Sequence, residues 1–564
     1  MNIRTFICST LMCSFALTAG QVKSTPAPTT GATEIPHLRK QGTATQMIVD
    51  GKPFLMLAGE LGNNTPTSLE YMKSVWPTLI KTGLNTALAA VSWAHIEPQE
   101  GKFSFSVLDG VIQGARANNL HLVLLWFGSW KNGESTYVPD WVKRDYQRFP
   151  RIQRTEGQSV EILTPFSDAN RDADARAFAA LLRHVKAVNG TQHTVIMIQV
   201  ENELGTCDRS PVAMRAFGAP VPKELMDFLQ RRKDTLIPEL RQVWEAAGFK
   251  TSGTWEEVFG QSAATGEICM GWTFARYVGR IAEAGKAEYP IPMYMNSPGS
   301  GFRKGARATS PCGGAPMPDL IDIWQAGAPR IALLSPDIYG GDYPLMCARY
   351  NRSGNPLFIP ETRGFPPNNL AARVLYAFGR HDAIGLSPMG IERPPAPDIE
   401  LTSAYGVIRQ LAPLISAHQG DGTMSAVIVA PNAPPQKIKV GTWTLEVSFV
   451  MPRTQPPAPP PVTPIWNAAA IFIQTGPEEF YAAGTGVNVK FTPNTPGPPL
   501  GGLATVEEGV FVNGRWVPGR RLAGDDNGTF SLVLPRLHDE PVDRPALFGP
   551  SQKGVERVTL YRFE

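Results

Sequence analysis

The chain has 564 residues, and its 53 basic and 50 acidic side chains leave a formal net charge of +3. That length is too great for one ordinary hydrophobic core and fits a large barrel with an accessory domain. Near-balanced charge without a basic run excludes a nucleic-acid partner, and after the first twenty residues no apolar stretch is long enough to span a membrane.

Residues 1–20 carry Arg4 as their only charge, an apolar stretch, and small residues at Ala16, Ala19 and Gly20. This pattern is expected to be a secretory signal peptide, which implies an exported protein, periplasmic or extracellular. Residues 21–44, rich in Pro, Thr and Gly, are expected to form a flexible lead-in.

From 45 to 416, short apolar runs alternate with longer amphipathic segments, as an α/β fold of the (β/α)8 TIM-barrel type requires. Strand one is expected at 54–58, ending in Gly59 and Glu60. The helix after it carries Leu69, Met72, Val75, Trp76, Leu79 and Ile80 at helical spacing, with Pro77 inside and Gly83 as its stop. Strand two, 86–91, delivers Trp93, His95 and Glu97; strand three, 121–127, delivers Gly128 to Asn132. Strand four, 195–200, is apolar except for Gln199, as a strand covered on both faces should be, and runs directly into Glu201, Asn202 and Glu203. Side-chain alternation points Glu201 and Glu203 one way and Asn202 the other unless the strand curls there. Strand five is expected at 291–295 with Asn296 at its tip, strand six at 331–334 leading to Asp337 and Tyr339, and strand eight at 383–386.

Strand seven, 355–360, ends in Glu361, Thr362 and Arg363, so a second carboxylate sits at a strand end three strands after Glu203. Carboxylates at the carboxyl ends of barrel strands face one mouth. Two of them across a mouth provide what hydrolysis of a glycosidic bond needs: one protonates the leaving oxygen, and the other attacks the sugar carbon or activates water. Glu203 is expected to hold its proton through the nearby charge of Glu361 and partial burial.

Residues 417–564 change to short alternating runs with many turns, expected to form a β-sandwich-like domain. Trp443, Leu445, Val447 and Phe449 alternate as in a half-buried strand. Asn513-Gly514 between two apolar runs is a two-residue hairpin signal, and the proline-rich 452–464 reads as a long loop. Cys8 and Cys13 would leave with the signal peptide. The other four cysteines, Cys207, Cys269, Cys312 and Cys347, are compatible with one or two disulfides, with three connectivities if all pair. Nothing in their spacing resembles a zinc site.

The run from Trp93 through Ile96-Glu97-Pro98 to Phe105, then Leu108-Asp109, resembles the second-strand loop of β-galactosidases in glycoside hydrolase families 35 and 42. Gln199-Val200-Glu201-Asn202-Glu203-Leu204-Gly205 is similar to the family 35 acid/base segment. The resemblance, closest to the bacterial family 35 branch with a short β-rich C-terminal domain, implies a retaining clan A glycosidase. In it Glu203 is the general acid/base, Asn202 binds the hydroxyl beside the anomeric carbon, Glu361 is the nucleophile, and Tyr339 hydrogen-bonds Glu361. The chain departs from family 35 at Leu61-Gly62-Asn63-Asn64 and at Trp130-Lys131-Asn132-Gly133, which leaves the glycan open. Trp93 and Trp130 are candidates for stacking on sugar rings, with packing under a loop as the alternative. Glu60 and Asn132 are candidates for binding galactose hydroxyls, and Glu201 is expected to be buried and structural.

The expectation is therefore a secreted retaining exo-β-galactosidase acting on oligosaccharides such as plant xyloglucan side chains, with no metal or organic cofactor. The alternatives are an endo-glycanase of the same clan and a non-catalytic glycan-binding barrel. The oligomeric state is left open.

Overall fold

The computed structural model describes residues 34–154, 156–298, 313–352, 354–363, 370–393, 399–431, 433–450, 468–522, 531–534 and 554–564. The signal-peptide segment and the loop at 452–464 lie outside these residues. Residues 34–564 form one compact unit.

The apolar runs become eight parallel strands closed into a barrel in sequential order. They are β1 (Met56–Glu60), β2 (Thr86–Ser92), β3 (His121–Lys131), β4 (Val195–Asn202), β5 (Met293–Ser297), β6 (Leu333–Ile338), β7 (Phe358–Thr362) and β8 (Gly385–Pro388). Several strands extend past the point where their apolar runs stop. Ladder pairing continues through polar residues, with Asn296 opposite Ser335 and Asp337 opposite Glu361. The backbone bonds of a closed barrel are satisfied whatever the side chains, so polarity marks the mouth rather than the strand end.

Alternation grades the interior from apolar to acidic. Met56 and Ala58 join Leu88, Val123, Leu125, Met197, Tyr294, Leu333 and Phe358 inside the barrel, and the next residue on the β1 face is Glu60. On β6 the face that buries Leu333 continues through Ser335 to Asp337. Outward residues such as Leu57, Leu124, Ile198 and Ile359 pack under the helices. One of these is Leu69–Thr82, continuous through Pro77 and stopped by left-handed Gly83. Another, Asp168–Asn189, buries Phe178, Leu181, Leu182 and Val185.

The flexible lead-in expected for 21–44 is corrected where the structure describes it. His37–Gln41 is a strand paired antiparallel with Ala44–Val49, which in turn pairs with Lys52–Phe54. Met47 and Val49 of this sheet belong to the barrel-interior cluster. Burial of those two side chains orders a segment whose composition suggested a linker.

The C-terminal region folds into a six-stranded sheet facing a four-stranded one. Trp443, Leu445 and Val447 fill the space between them with Val427, Phe472, Phe480 and Val489. The other face of the larger sheet, including Ala426, Ile428, Ile471 and Tyr481, joins the barrel's outer core against the helices Leu370–His381 and Ile399–His418. Asn513 and Gly514 both adopt positive φ in the tight turn joining Val512 to Arg515, as the two-residue hairpin signal requires. Cys207 is disulfide-bonded, whereas Cys269 and Cys347 are buried free thiols, so the four cysteines do not all pair; Cys312 lies outside the described residues.

Gly379 lets the helix Leu370–His381 approach the sheet closely: a Cβ there would stand 2.7 Å from Ala426 Cβ and 2.7 Å from Ile471 Cγ1. Gly379→Leu should therefore destabilise the protein by about 1–3 kcal/mol through overpacking, read as a lower midpoint in urea or thermal unfolding. An unchanged midpoint would contradict this packing of the barrel helix on the sheet.

Candidate active site

Three carboxyl groups meet at the barrel mouth. One oxygen each of Glu203, Asp337 and Glu361 lies within 4.8 Å of the other two. The sequence placed Glu203 and Glu361 at strand ends, but their convergence depends on two local departures from strand geometry.

The first is on β7. Phe358 faces the interior and Ile359 the helices, so strict alternation would turn Glu361 outward. The pairing of β7 with β8 instead slips by one residue between Ile359 and Thr362. Pro360 lies within the slip and has no N–H to give to a ladder. The bulge turns Glu361 into the mouth.

The second is on β4. Glu201 and Glu203 adopt left-handed φ values of 62° and 43°, a conformation that costs a non-glycine residue about 1–3 kcal/mol. Glu201 turns towards β3, and its carboxyl accepts from the backbone N–H groups of Ser129 (3.1 Å) and Trp130 (2.7 Å). Asn202 turns into the mouth. A Cβ on Gly128 would come within 2.7 Å of both Asp174 Oδ2 and Glu201 Oε1, so only glycine admits the acid pair at that point.

Asp174 and Glu201 are both fully buried and hydrogen-bonded to each other. Burial first, and the Asp174 charge second, push Glu201 well above the usual carboxylate range. Burial raises Asp174 as well, opposed by its hydrogen bonds. It accepts from Trp126 Nε1 (2.8 Å), Ser129 N (2.9 Å) and Ser129 Oγ (2.6 Å). Glu201 therefore carries the proton and Asp174 the charge, and together they fix the end of β3 against the end of β4.

At the centre, Glu361 Oε1 accepts from Asn202 Nδ2 (3.3 Å) and Asn296 Nδ2 (3.2 Å), and Oε2 accepts from the Tyr339 hydroxyl (2.5 Å). Burial, followed by the charges of Glu361 and Asp337, raises Tyr339 far above its ordinary value, so the phenol is a neutral donor. Asn296 also donates to Asp337 Oδ2 (2.8 Å), and its own Oδ1 accepts from the Glu203 backbone N–H (3.0 Å). Burial, then the Glu361 and Glu203 charges, hold Asp337 well above the usual range; it is also hydrogen-bonded to Glu203. Acids this close cannot all ionise, and the surroundings of Asp337 favour its protonated form.

Glu60, at the end of β1, is buried with neither carboxyl oxygen hydrogen-bonded among the described residues. Burial first, then the Glu361 charge, raise it well above its ordinary value, while Lys131 opposes the shift. A buried carboxyl of this kind is costly without a polar partner. Exposed Asn132 sits in the tight turn after β3 and accepts from Lys131 Nζ (2.9 Å).

The indole-stacking expectation is corrected for both tryptophans. Trp93 is fully buried, donates to Glu97 Oε2 (2.8 Å) and packs edge-on against Trp141. Trp130 is buried against Phe274 and Tyr277 and donates to Leu163 O (3.1 Å). Both rings follow the ends of their strands outward into the core beneath the helices, where burial of a large apolar surface outweighs exposure at the mouth. Asn296, Asp337 and Lys131 belong to the site although sequence reasoning gave them no role. Their signal was a polar residue at the tip of an apolar run.

Residues 70–265 match the β-galactosidase model of glycoside hydrolase family 42, and residues 401–533 match a family described as a domain of unknown function (DUF5597). The chain is 31% identical over 184 residues to a β-galactosidase of Xanthomonas manihotis, covering 30% of this chain and 27% of that protein. It is 34% identical over 107 residues to β-galactosidase 11 of Arabidopsis thaliana, covering 18% and 12% respectively. The aligned segments thus span about a quarter or less of these curated relatives. A solved β-galactosidase from Bacillus circulans sp. alkalophilus aligns at TM-score 0.43 and 16% identity, covering 63% of this chain and 56% of that one. The catalytic domain of a Paenibacillus polymyxa β-amylase aligns at 0.43 and 12%, covering 61% and 95%. Among the described residues no helix is long and apolar enough to cross a membrane.

The Glu201–Asp174 pair gives a pH-dependent prediction. A carboxyl raised in the folded state stabilises fully below its unfolded pKa, and that contribution is lost as pH rises through the folded value. Glu201→Gln mimics the protonated acid and removes the dependence. The variant should be less stable than wild type in acid, by about 1–2 kcal/mol for the imperfect replacement of a hydrogen bond. The gap should narrow as pH rises above the ordinary glutamate value of 4.5. Urea unfolding across pH reads it, and a gap that widens instead would rule out the shared proton.

Proposed function

We propose that the protein is a secreted, retaining exo-β-galactosidase that removes terminal β-galactosyl residues from oligosaccharides, with plant xyloglucan side chains as a fitting substrate. The observation that carries this reading is the approach of Glu203 and Glu361 at the mouth of a closed parallel barrel, with an oxygen of each within 4.8 Å of the other. Retaining glycosidases hold their two carboxyl groups roughly 5–5.5 Å apart, whereas inverting ones leave roughly 6.5–9.5 Å for a water.

In the first step Glu361 attacks the anomeric carbon while Glu203 gives its proton to the leaving oxygen, producing a glycosyl ester on Glu361 and a free aglycone. In the second, Glu203 takes a proton from water, whose oxygen attacks the same carbon and releases the sugar with its configuration retained. Asn202, with its Nδ2 at Glu361 Oε1, stands beside the reacting carbon to meet the sugar's 2-hydroxyl. Glu60 and Asn132 offer polar groups to other hydroxyls, and Tyr339 holds Glu361 in its attacking orientation. The family 42 match and the β-galactosidase relatives support the substrate class. The Gln199–Gly205 motif supports placement with the bacterial family 35 branch of the same clan, and the apolar segment at 1–20 supports export.

Two variants test the assignment on an aryl β-galactoside. Glu361→Gly should abolish turnover. Glu203→Gln should lower kcat by about 10²–10⁴-fold, with azide restoring part of the rate as a β-galactosyl azide. Proton NMR of early product should show the β-anomer of galactose. Release of the α-anomer, or full activity in Glu361→Gly, would overturn the mechanism.

A further inference from the structure

Lys131 is a buried ammonium among acidic groups, yet it forms no ion pair among the described residues. Its two hydrogen bonds go to side-chain amide oxygens, Asn202 Oδ1 (2.9 Å) and Asn132 Oδ1 (2.9 Å). The Phe127 ring lies 5.1 Å from its nitrogen. Its backbone is fixed by a tight turn: Lys131 N–H donates to Glu134 O (2.8 Å) and Glu134 N–H to Lys131 O (3.0 Å), with Asn132 and Gly133 both left-handed. The Asn132 N–H then donates to Asn202 O (3.1 Å). The turn therefore holds Lys131 against both the side chain and the backbone of Asn202.

We infer that Lys131 is a positioning residue that sets the orientation of the Asn202 amide and thereby makes the site selective for glycosides with a free 2-hydroxyl. The reason is chemical. A lysine ammonium has only donors, so the side of Asn202 facing it must present Oδ1. The amide's NH₂ must then face the other way, towards Glu361, 3.3 Å from Oε1. A carboxylate is an acceptor, so the two neighbours agree on one orientation. Without Lys131 the amide loses the shorter of its two charge-assisted contacts, 2.9 Å against 3.3 Å, and its donor is no longer fixed where the hydroxyl beside the anomeric carbon meets it. Lysine serves here where a carboxylate or an amide would not, since either offers an acceptor and would permit the flipped rotamer.

The inference rests on the glycosidase reading, and the test separates the two. Wild-type hydrolysis of aryl β-galactoside over its 2-deoxy analogue tests the reading and sets the reference preference. Lys131→Met and Lys131→Cys, each shown by thermal melt to fold, should lose that preference by about 10-fold or more. The loss should fall mainly on kcat/KM for the 2-hydroxy substrate, with the 2-deoxy substrate changed far less. Alkylating Lys131→Cys with 2-bromoethylamine, which restores an ammonium at nearly the original reach, should return the preference. A merely structural lysine would depress both substrates equally, and an unchanged ratio in folded Lys131→Met would overturn the inference. If the wild-type protein hydrolyses no glycoside, the glycosidase reading fails. A crystal structure of Lys131→Met that distinguishes amide nitrogen from oxygen then decides the remaining claim: a turned or rotated Asn202 supports it, and an unmoved amide overturns it.

Discussion

Several acidic side chains are buried together at the barrel mouth, and their mutual repulsion is the constraint on which the site depends. Glu60 and Asp337 are buried and raised well above the ordinary carboxylate range, each by burial first and by the Glu361 charge second. A low-dielectric pocket makes like charges at these separations costly, so protons must be retained within it. Retained protons are what acid catalysis requires. The amides of Asn202 and Asn296 and the neutral phenol of Tyr339 supply donors to Glu361 without adding further titrating charge nearby. The neighbouring cation, Lys131, is directed to amide oxygens instead of neutralising an acid.

That arrangement is maintained from outside the mouth. The Asp174–Glu201 pair lies between the end of β3 and the helix Asp168–Asn189, and it binds the backbone N–H groups of Ser129 and Trp130. Positive φ at Glu201 and Glu203 costs conformational energy, which those hydrogen bonds offset. One buried proton thus supports a strained strand end that turns Asn202 towards the nucleophile candidate. Arg373 does comparable work for β6 and β7. It is almost wholly buried and donates to Ile338 O (2.8 Å) and Thr362 Oγ1 (2.7 Å), the residues beside Tyr339 and Glu361.

The C-terminal sheets enter this picture through the core. Alternate residues of the larger sheet divide between the sandwich interior and the outer core of the barrel, as with Val427 on one side and Ala426 and Ile428 on the other. The sheet therefore buries the helices that follow β7 and β8. This continuity explains why residues 34–564 form a single compact unit despite the change of sequence character after the barrel.

The fold was legible because it depends on periodicity. Apolar runs with helical segments between them specify a parallel barrel, strict alternation such as Trp443-Leu445-Val447 specifies a half-buried sheet, and Asn513-Gly514 specifies its own turn. Glu203 and Glu361 were legible as acids at strand ends. Their meeting was not, because ideal alternation would have turned Glu361 outward and Asn202 away from the mouth. A bulge over Pro360 and a left-handed Glu201 reversed both, and each depends on contacts with neighbouring strands. Tertiary packing likewise drew Trp93 and Trp130 into the core and ordered 37–49 beneath the barrel, because burial is decided by what lies across from a residue in space. The sequence alone determined which groups stand near the ends of strands; only the assembled barrel determined which way they face and which of them keep a proton.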